Sequence, residues 1–233
     1  MRGVIGVLTI LALCETALVA RGSNEEQLHK AANVLSEIMR VPDKGIPDYL
    51  LRKSVCVGVV PSELKAAFIF GGTYGRGVLV CRRHGNGAWG APSMFTLGGA
   101  NLGFQIGGQA TDVVFLVMNR EGVRKLLQDD VKLGADVSVS VGPVGRAAEG
   151  ATDAEMHAEI LSYSRSRGLF AGVSLEGAVL KQDNDDNRRL YGHRVSPQEI
   201  LITGAVESPE AARPLDRLLT KYAPRGGGHS PNG

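Results

Sequence analysis

The sequence predicts an α+β fold in which a curved, mostly antiparallel β-sheet, or a barrel-like closure of one, is packed by several helices. Two observations carry that reading. The 233 residues include 31 glycines, and glycine weakens helix interiors while permitting turns and bulges, so short strands with tight connections are favoured over a helix bundle. Between the glycines the hydrophobic period switches from helical spacing near the N-terminus to short β-branched runs, and later back again. With 43% hydrophobic and 21% charged residues the chain has ordinary globular composition and can bury a sizeable core.

The first predicted helix runs from Asn24 to Met39, where Leu28, Ala31, Ala32, Leu35, Ile38 and Met39 recur at helical spacing and Pro42 lies just beyond the end. Pro47 opens a short second helix through Tyr49, Leu50 and Leu51, with Arg52 and Lys53 in the last turn, where the dipole favours cations. Val55 to Val60 and Ala66 to Phe70 read as strands. The glycine-rich stretch Gly71 to Gly77 reads as a turn leading into a strand from Val78 to Arg82, and Gly85-Asn86-Gly87 as a turn into Ala88-Trp89. Gly98 to Gly108 suits a bulged strand, followed by an apolar strand from Val113 to Met118. A helix from Glu121 to Gln128 and a half-buried strand from Val137 to Val141 come next, then a loop over residues 142–150. Ala158 to Ser166 and Leu169 to Leu180 form a long hairpin around Arg167-Gly168. Ser196-Pro197-Gln198-Glu199 is a capping box that starts a helix ending at Gly204. A last helix falls between Ser208 and Tyr222.

Residues 1–22 read as a signal peptide: Arg2 supplies the positive start, and the run from Gly3 to Cys14 is apolar or small but too short to span a bilayer. Ala20-Arg21-Gly22 offers a cleavage site, and Leu13 before Cys14 argues against acylation there. Residues 23–204 then form the main domain, 205–223 a C-terminal helical segment and 224–233 a tail whose Gly, Pro, Ser and Asn content reads as disordered. Export to the periplasm or cell envelope is expected. Within the domain, Cys56 and Cys81 fall in apolar runs, where they either pair or serve as small buried hydrophobes.

Lys+Arg 26 against Asp+Glu 24 gives a net charge of +2, too balanced to attract nucleic acid by bulk field. No dinucleotide fingerprint, Walker lysine, serine elbow or zinc motif is present, so no catalytic residue, cofactor or metal is assigned. Asp183-Asn184-Asp185-Asp186-Asn187 begins like a calcium loop, but Arg188 and Arg194 stand where Gly and Glu are required, leaving a solvated loop with an Asn helix cap or a weak cation site. The carboxylates Asp112, Asp136, Glu159 and Glu176 lie in or beside apolar strands, where an acid–base pair could be built if two of them converged.

Four segments carry a resemblance: Pro42 to Pro47, Phe68 to Gly77, Gly103 to Gln109, and the long run Ser164 to Gly177. Together they resemble the SYLF domain, a lipid-binding family, over about Leu28 to Gly204. The resemblance implies phospholipid binding and, in eukaryotic members carrying SH3 or FYVE modules, phosphoinositide and actin binding. The signal-like N-terminus makes the chain similar to stand-alone bacterial exported members, so actin is an unlikely partner and the oligomeric state is open. The expected function is thus non-enzymatic binding of phospholipid or an anionic membrane surface in the envelope. The alternative is an envelope scaffold or protein-interaction module without lipid. Candidate headgroup-binding residues are Lys44, Arg52, Lys53 and Lys65 around the N-terminal helices, Arg76 in the glycine stretch, and Arg165 and Arg167 in the hairpin.

Overall fold

The computed structural model of the chain describes residues 22–40, 45–61, 65–67, 72–99, 111–144, 157–166 and 169–224. In chain order the elements are α1 (22–39), α2 (Asp48–Lys53), β1 (Cys56–Val60), β2 (Lys65–Ala67), β3 (Gly72–Arg82), β4 (Trp89–Gly99), β5 (Asp112–Val117), α3 (Arg120–Leu126), β6 (Val131–Lys132), β7 (Val139–Val141), β8 (Ile160–Ser166), β9 (Leu169–Gly172), β10 (Val179–Gln182), α4 (Asn184–Tyr191) and α5 (Arg213–Tyr222). A 3-10 turn at Arg83–Gly85 joins β3 to β4, and a π-helical turn at Glu199–Thr203 precedes α5. The strands form one strongly curled, half-barrel sheet in the order β6-β10-β4-β3-β1-β5-β8-β7, with β2 beside β3 and β9 beside β8. Neighbours are antiparallel except β7 and β8. This is the α+β class expected. The bulk of residues 1–22 and of the tail, and the part of the Gly98–Gly108 segment beyond Gly99, lie outside the described residues.

The sheet is covered on both faces. Leu28, Leu35 and Ile38 of α1 pack with Leu50 and Leu51 of α2 and Leu215 and Leu219 of α5 against Val57, Val59, Val114 and Leu116. The opposite side chains of the same strands, including Cys56, Leu79, Phe95 and Phe115, pack with Val123 and Leu126 of α3 and with Ile200 and Leu201. Strands β1 and β5 are consequently buried at every position, which is why their sequences are continuous apolar runs and do not alternate. The capping box forms as expected: Ser196 N donates to Glu199 Oε2 at 2.7 Å and Glu199 N donates to Ser196 Oγ at 3.2 Å. The helical segment it starts ends at Gly204, whose φ of 64° is the left-handed conformation glycine adopts without strain.

Three expectations are corrected. Residues Gly72 to Gly77 are part of β3 and not a turn. The reason lies across the sheet: Gly77 faces Phe95 and Gly58 faces Phe115, and a Cβ on either glycine would sit 2.3 or 2.1 Å from a ring atom. The rings occupy the space the missing side chains leave, and meet each other edge-on at 5.6 Å. The second arm of the long hairpin breaks, because β9 ends at Gly172 and β10 crosses to pair with β4. The acidic stretch 183–187 is the start of α4 and not a solvated loop: Asp183 caps it by accepting from Asp186 N at 2.9 Å, and Asp186 and Asn187 are buried.

The open alternatives for the cysteines resolve to a disulfide between Cys56 and Cys81, which stand directly opposite in register with Cα atoms 4.0 Å apart. For the glycines, we expect Gly77→Ala to lower stability by about 1–3 kcal/mol through overpacking against Phe95, and Phe95→Leu to return part of that loss when combined with it. Urea unfolding of the single and double variants measures both; equal stability of Gly77→Ala and the parent would remove the ring argument.

Candidate functional site

The expected headgroup-binding residues are distributed over several places. Arg76, in the middle of β3, reaches Asn24 and Asp186 with one guanidinium nitrogen and donates to Ser23 Oγ at 3.1 Å with the other. Gln27 Nε2 donates to the Arg76 carbonyl at 2.6 Å, and Arg189 holds the second Asp186 oxygen at 2.7 Å. Arg76 therefore fastens the first turn of α1 to the first turn of α4, and an anionic ligand would have to compete with those partners. Arg165 on β8 is paired with Glu37 of α1 and lies 3.7 Å from Asp112. Arg52 and Lys53 are exposed side by side on α2. There Arg52 stands 4.0 Å from Asp48, and Lys53 lies over the Tyr49 ring at 5.7 Å. The backbone of Lys65 pairs with Tyr74 at the other end of the sheet. Lys44 and Arg167 lie outside the described residues.

Of the four carboxylates, Asp112 and Glu159 are separated, while Glu176 packs against Gly134 in the turn that holds Asp136. Asp112 faces Arg165 at one end of the β5–β8 pair, while Glu159 lies just before Ile160, which faces Val117 at the other. The length of a six-residue strand, roughly 17–20 Å, divides them. Glu159 accepts from Ser138 N at 2.9 Å, Ser138 Oγ at 3.2 Å and Lys125 Nζ at 2.9 Å. Asp136 accepts from Lys132 N at 2.7 Å in an exposed turn.

The sequence reading passed over a different place, at the end of the sheet where β3 turns into β4. Arg82 is only 3% exposed, yet among the described residues no carboxylate holds it. Its guanidinium donates to the carbonyls of Ser54 at 3.1 Å, Gly87 at 3.3 Å and Ala223 at 2.9 Å, with a longer contact of 3.5 Å to Arg52. Ser54 and Ala223 are the C-caps of α2 and α5, so two negative helix ends stand in for a counterion. Trp89 stacks under the guanidinium at 4.2 Å and donates to the same Ala223 carbonyl at 3.1 Å. Burial lowers the Arg82 pKa from its ordinary value, but an arginine stays charged in proteins.

A cavity of about 480 Å³ opens at Arg82, which lines it together with Val55, Cys81, His84, Gly85, Arg120, Val123, Arg124, Leu201 and Ile202. Its floor is apolar, from buried Cys81, Val123 and Leu201, and Ile202 stands 40% exposed on the rim. Arg120 and Arg124 sit one turn apart on α3 and His84 projects from the 3-10 turn. Arg120 donates to the His84 carbonyl, and Arg124 pairs with Glu121. Gly85, at φ 82°, keeps room for Arg120: a Cβ there would lie 2.6 Å from its Nε. Arg52 and Lys53 lie at this same end of the sheet, on its other face. The signal that could have found this site was the i, i+4 spacing of Arg120 and Arg124 beside the Gly85-Asn86-Gly87 turn.

A family model named Ysc84, described as "Las17-binding protein actin regulator", matches residues 98–222. Among curated proteins, Protein YSC84 of Saccharomyces cerevisiae is 38% identical over 209 residues, covering 86% of this chain and 44% of the relative. LAS seventeen-binding protein 3 of the same species is 36% identical over 218 residues, covering 88% and 47%. The human SH3 domain-containing YSC84-like protein 1 is 33% identical over 204 residues, covering 85% and 59%. The chain spans about half the length of these relatives. These matches overturn the expectation that actin is an unlikely partner. That expectation rested on the signal-like N-terminus and the likeness to stand-alone members, whereas the actin-regulator description attaches to residues 98–222 of this chain.

Glu159 supplies a test of the site's supporting framework. Burial raises its pKa, but the hydrogen bonds from Ser138 and Lys125 outweigh that and leave it lowered. A carboxyl lowered on folding stabilises the protein above the ordinary carboxylate range, and that stability is lost as pH falls through the folded value. Glu159→Gln should cost about 1–3 kcal/mol near pH 7, with the difference from the parent shrinking under acid; thermal melts across pH measure it, and a pH-independent difference would count against the assignment.

Proposed function

We propose, since this chain belongs to the Ysc84 family, the SYLF-domain family of the sequence reading, that it works as a protein-interaction module of the actin-regulatory type. The observation that carries the reading is the family match over residues 98–222, which spans β5 to α5 and includes α3 and the π-helical turn, while the curated relatives extend the likeness over 85–88% of the chain. The family is described as an actin regulator, and its human member is named for an SH3 domain. In this reading the folded sheet is a rigid frame, and the loops and short helices at the β3–β4 end present the recognition groups.

Phospholipid binding is a second reading, supported by the exposed pair Arg52 and Lys53. Two such cations near an anionic surface supply about 2 kcal/mol, roughly a thirtyfold gain, which is too little alone for firm attachment. Arg76 and Arg165 already have carboxylate partners, so they add to that sum only at the cost of those pairs. This arithmetic favours the protein partner.

The two readings separate experimentally. Co-sedimentation with filamentous actin and pull-down with yeast Las17 should retain the chain, with little change when Arg52 and Lys53 are both replaced by Ala. A chain that stays in the supernatant in both assays, yet floats with anionic vesicles at low salt and releases at high salt, would reverse the order of the readings.

A further inference from the structure

We propose that the cavity between α3, the 3-10 turn and the π-helical turn is a docking site for an acidic protein segment that inserts an apolar side chain. The inference deepens the interaction-module reading and rests on it for the class of partner. The cavity's volume of about 480 Å³ lies within the range of about 300–1,000 Å³ typical of ligand sites. Its floor of Val123, Leu201 and Cys81 offers no unpaired polar group among the lining side chains, so the inserted portion is apolar. Its rim is cationic, with Arg120 and Arg124 at the mouth, Arg83 exposed beside them and the polar His84 ring between the two elements. The acids facing this group are Glu121, paired with Arg124, and Asp216, which faces Arg83. Both engaged cations are exposed, where such pairs contribute little and exchange readily with a ligand carboxylate.

Exposed Ile202 completes the argument. An isoleucine 40% exposed at the lip of a concave apolar floor is the arrangement of an anchor contact surrounded by polar groups. Cations that ring a depression suit a ligand that protrudes into it. A membrane presents its headgroups as a plane, which meets the rim and leaves the floor empty, so a peptide segment fits the shape better than a lipid surface does. Arg82, which lines the cavity wall, also positions the site: its bonds to Ser54, Gly87 and Ala223 hold the segment from which His84 projects.

The test uses the full chain and a fluorescent eight-residue peptide of aspartate and glutamate around a central leucine and phenylalanine, followed by anisotropy. Saturable binding is expected. It should weaken about tenfold or more in the Arg120→Ala, Arg124→Ala double variant and weaken in Ile202→Asp. It should also fall when the central apolar pair of the peptide is replaced by glycine, and stay unchanged in the Arg52→Ala, Lys53→Ala variant. Gly85→Ala, which displaces Arg120 without removing a charge, should give an intermediate loss; circular dichroism confirms that each variant is folded. Absence of saturable binding, equal binding of a lysine-substituted peptide, or equal binding by the Arg120, Arg124 variant overturns the proposal. So does phosphatidylserine vesicle binding that depends on these same two arginines, which would assign the site to a membrane. If Las17 or actin retains the double variant as well as the parent, the docking site is wrong and the interaction-module reading stands. If the peptide binds but neither protein is retained, the reverse holds.

Discussion

A buried guanidinium held by backbone carbonyls organises this molecule. Leaving the Arg82 charge unsatisfied in the core would cost several kcal/mol, and among the described residues its hydrogen bonds all go to backbone carbonyls. Those carbonyls belong to residues 52, 54, 87 and 223, in three segments far apart in sequence. Their convergence fixes the C-terminal ends of α2 and α5 against the end of β3, with Trp89 filling the space beneath. The helical layer on one face of the sheet and the turn that borders the cavity on the other are thus held by the same side chain. Charge, helix dipoles and topology agree at this point, which is the consistency expected of a well-specified fold.

The second organising device is the pairing of missing and oversized side chains. A sheet that curls as tightly as this one brings facing residues close, and Phe95 and Phe115 fit only because Gly77 and Gly58 give way. Gly142 does the same for Tyr163, whose ring would lie 2.2 Å from an added Cβ. The many glycines therefore serve the curvature of the sheet as much as its turns.

This explains what could be read from the sequence. The helices were legible because their apolar spacing and their caps are local: α1, α3 and the Ser196–Glu199 box were each anticipated within a few residues. The central strands β1 and β5 were legible as β-branched runs. Gly72 to Gly77 was not, because a glycine run signals a turn unless the facing aromatic is known, and Phe95 is 18 residues or more away in sequence. The Cys56–Cys81 bond depends on register, which spacing alone does not give. Of the expected cations, Arg52 and Lys53 were rightly placed on a short helix, but Arg76 and Arg165 have partners on α1 that only the folded chain brings near. The cavity escaped notice because its walls come from β1, the β3–β4 turn, α3 and the π-helical turn, and its two helical arginines looked like an ordinary solvated face.

Set in the family, the arrangement assigns a division of labour. The helices α1, α2 and α5 bury their apolar faces in the core, with Arg52 and Lys53 left exposed on α2, whereas the β3–β4 end carries exposed Arg120 and Arg124, the latter paired with an exposed, exchangeable Glu121. Hydrogen-exchange mass spectrometry of the chain free and on actin filaments or captured Las17 tests this division directly. The account predicts new protection at residues 83–87, 120–126 and 199–204 together, with α1 unchanged; protection confined to α1 and α2, with those three segments unaffected, would contradict it.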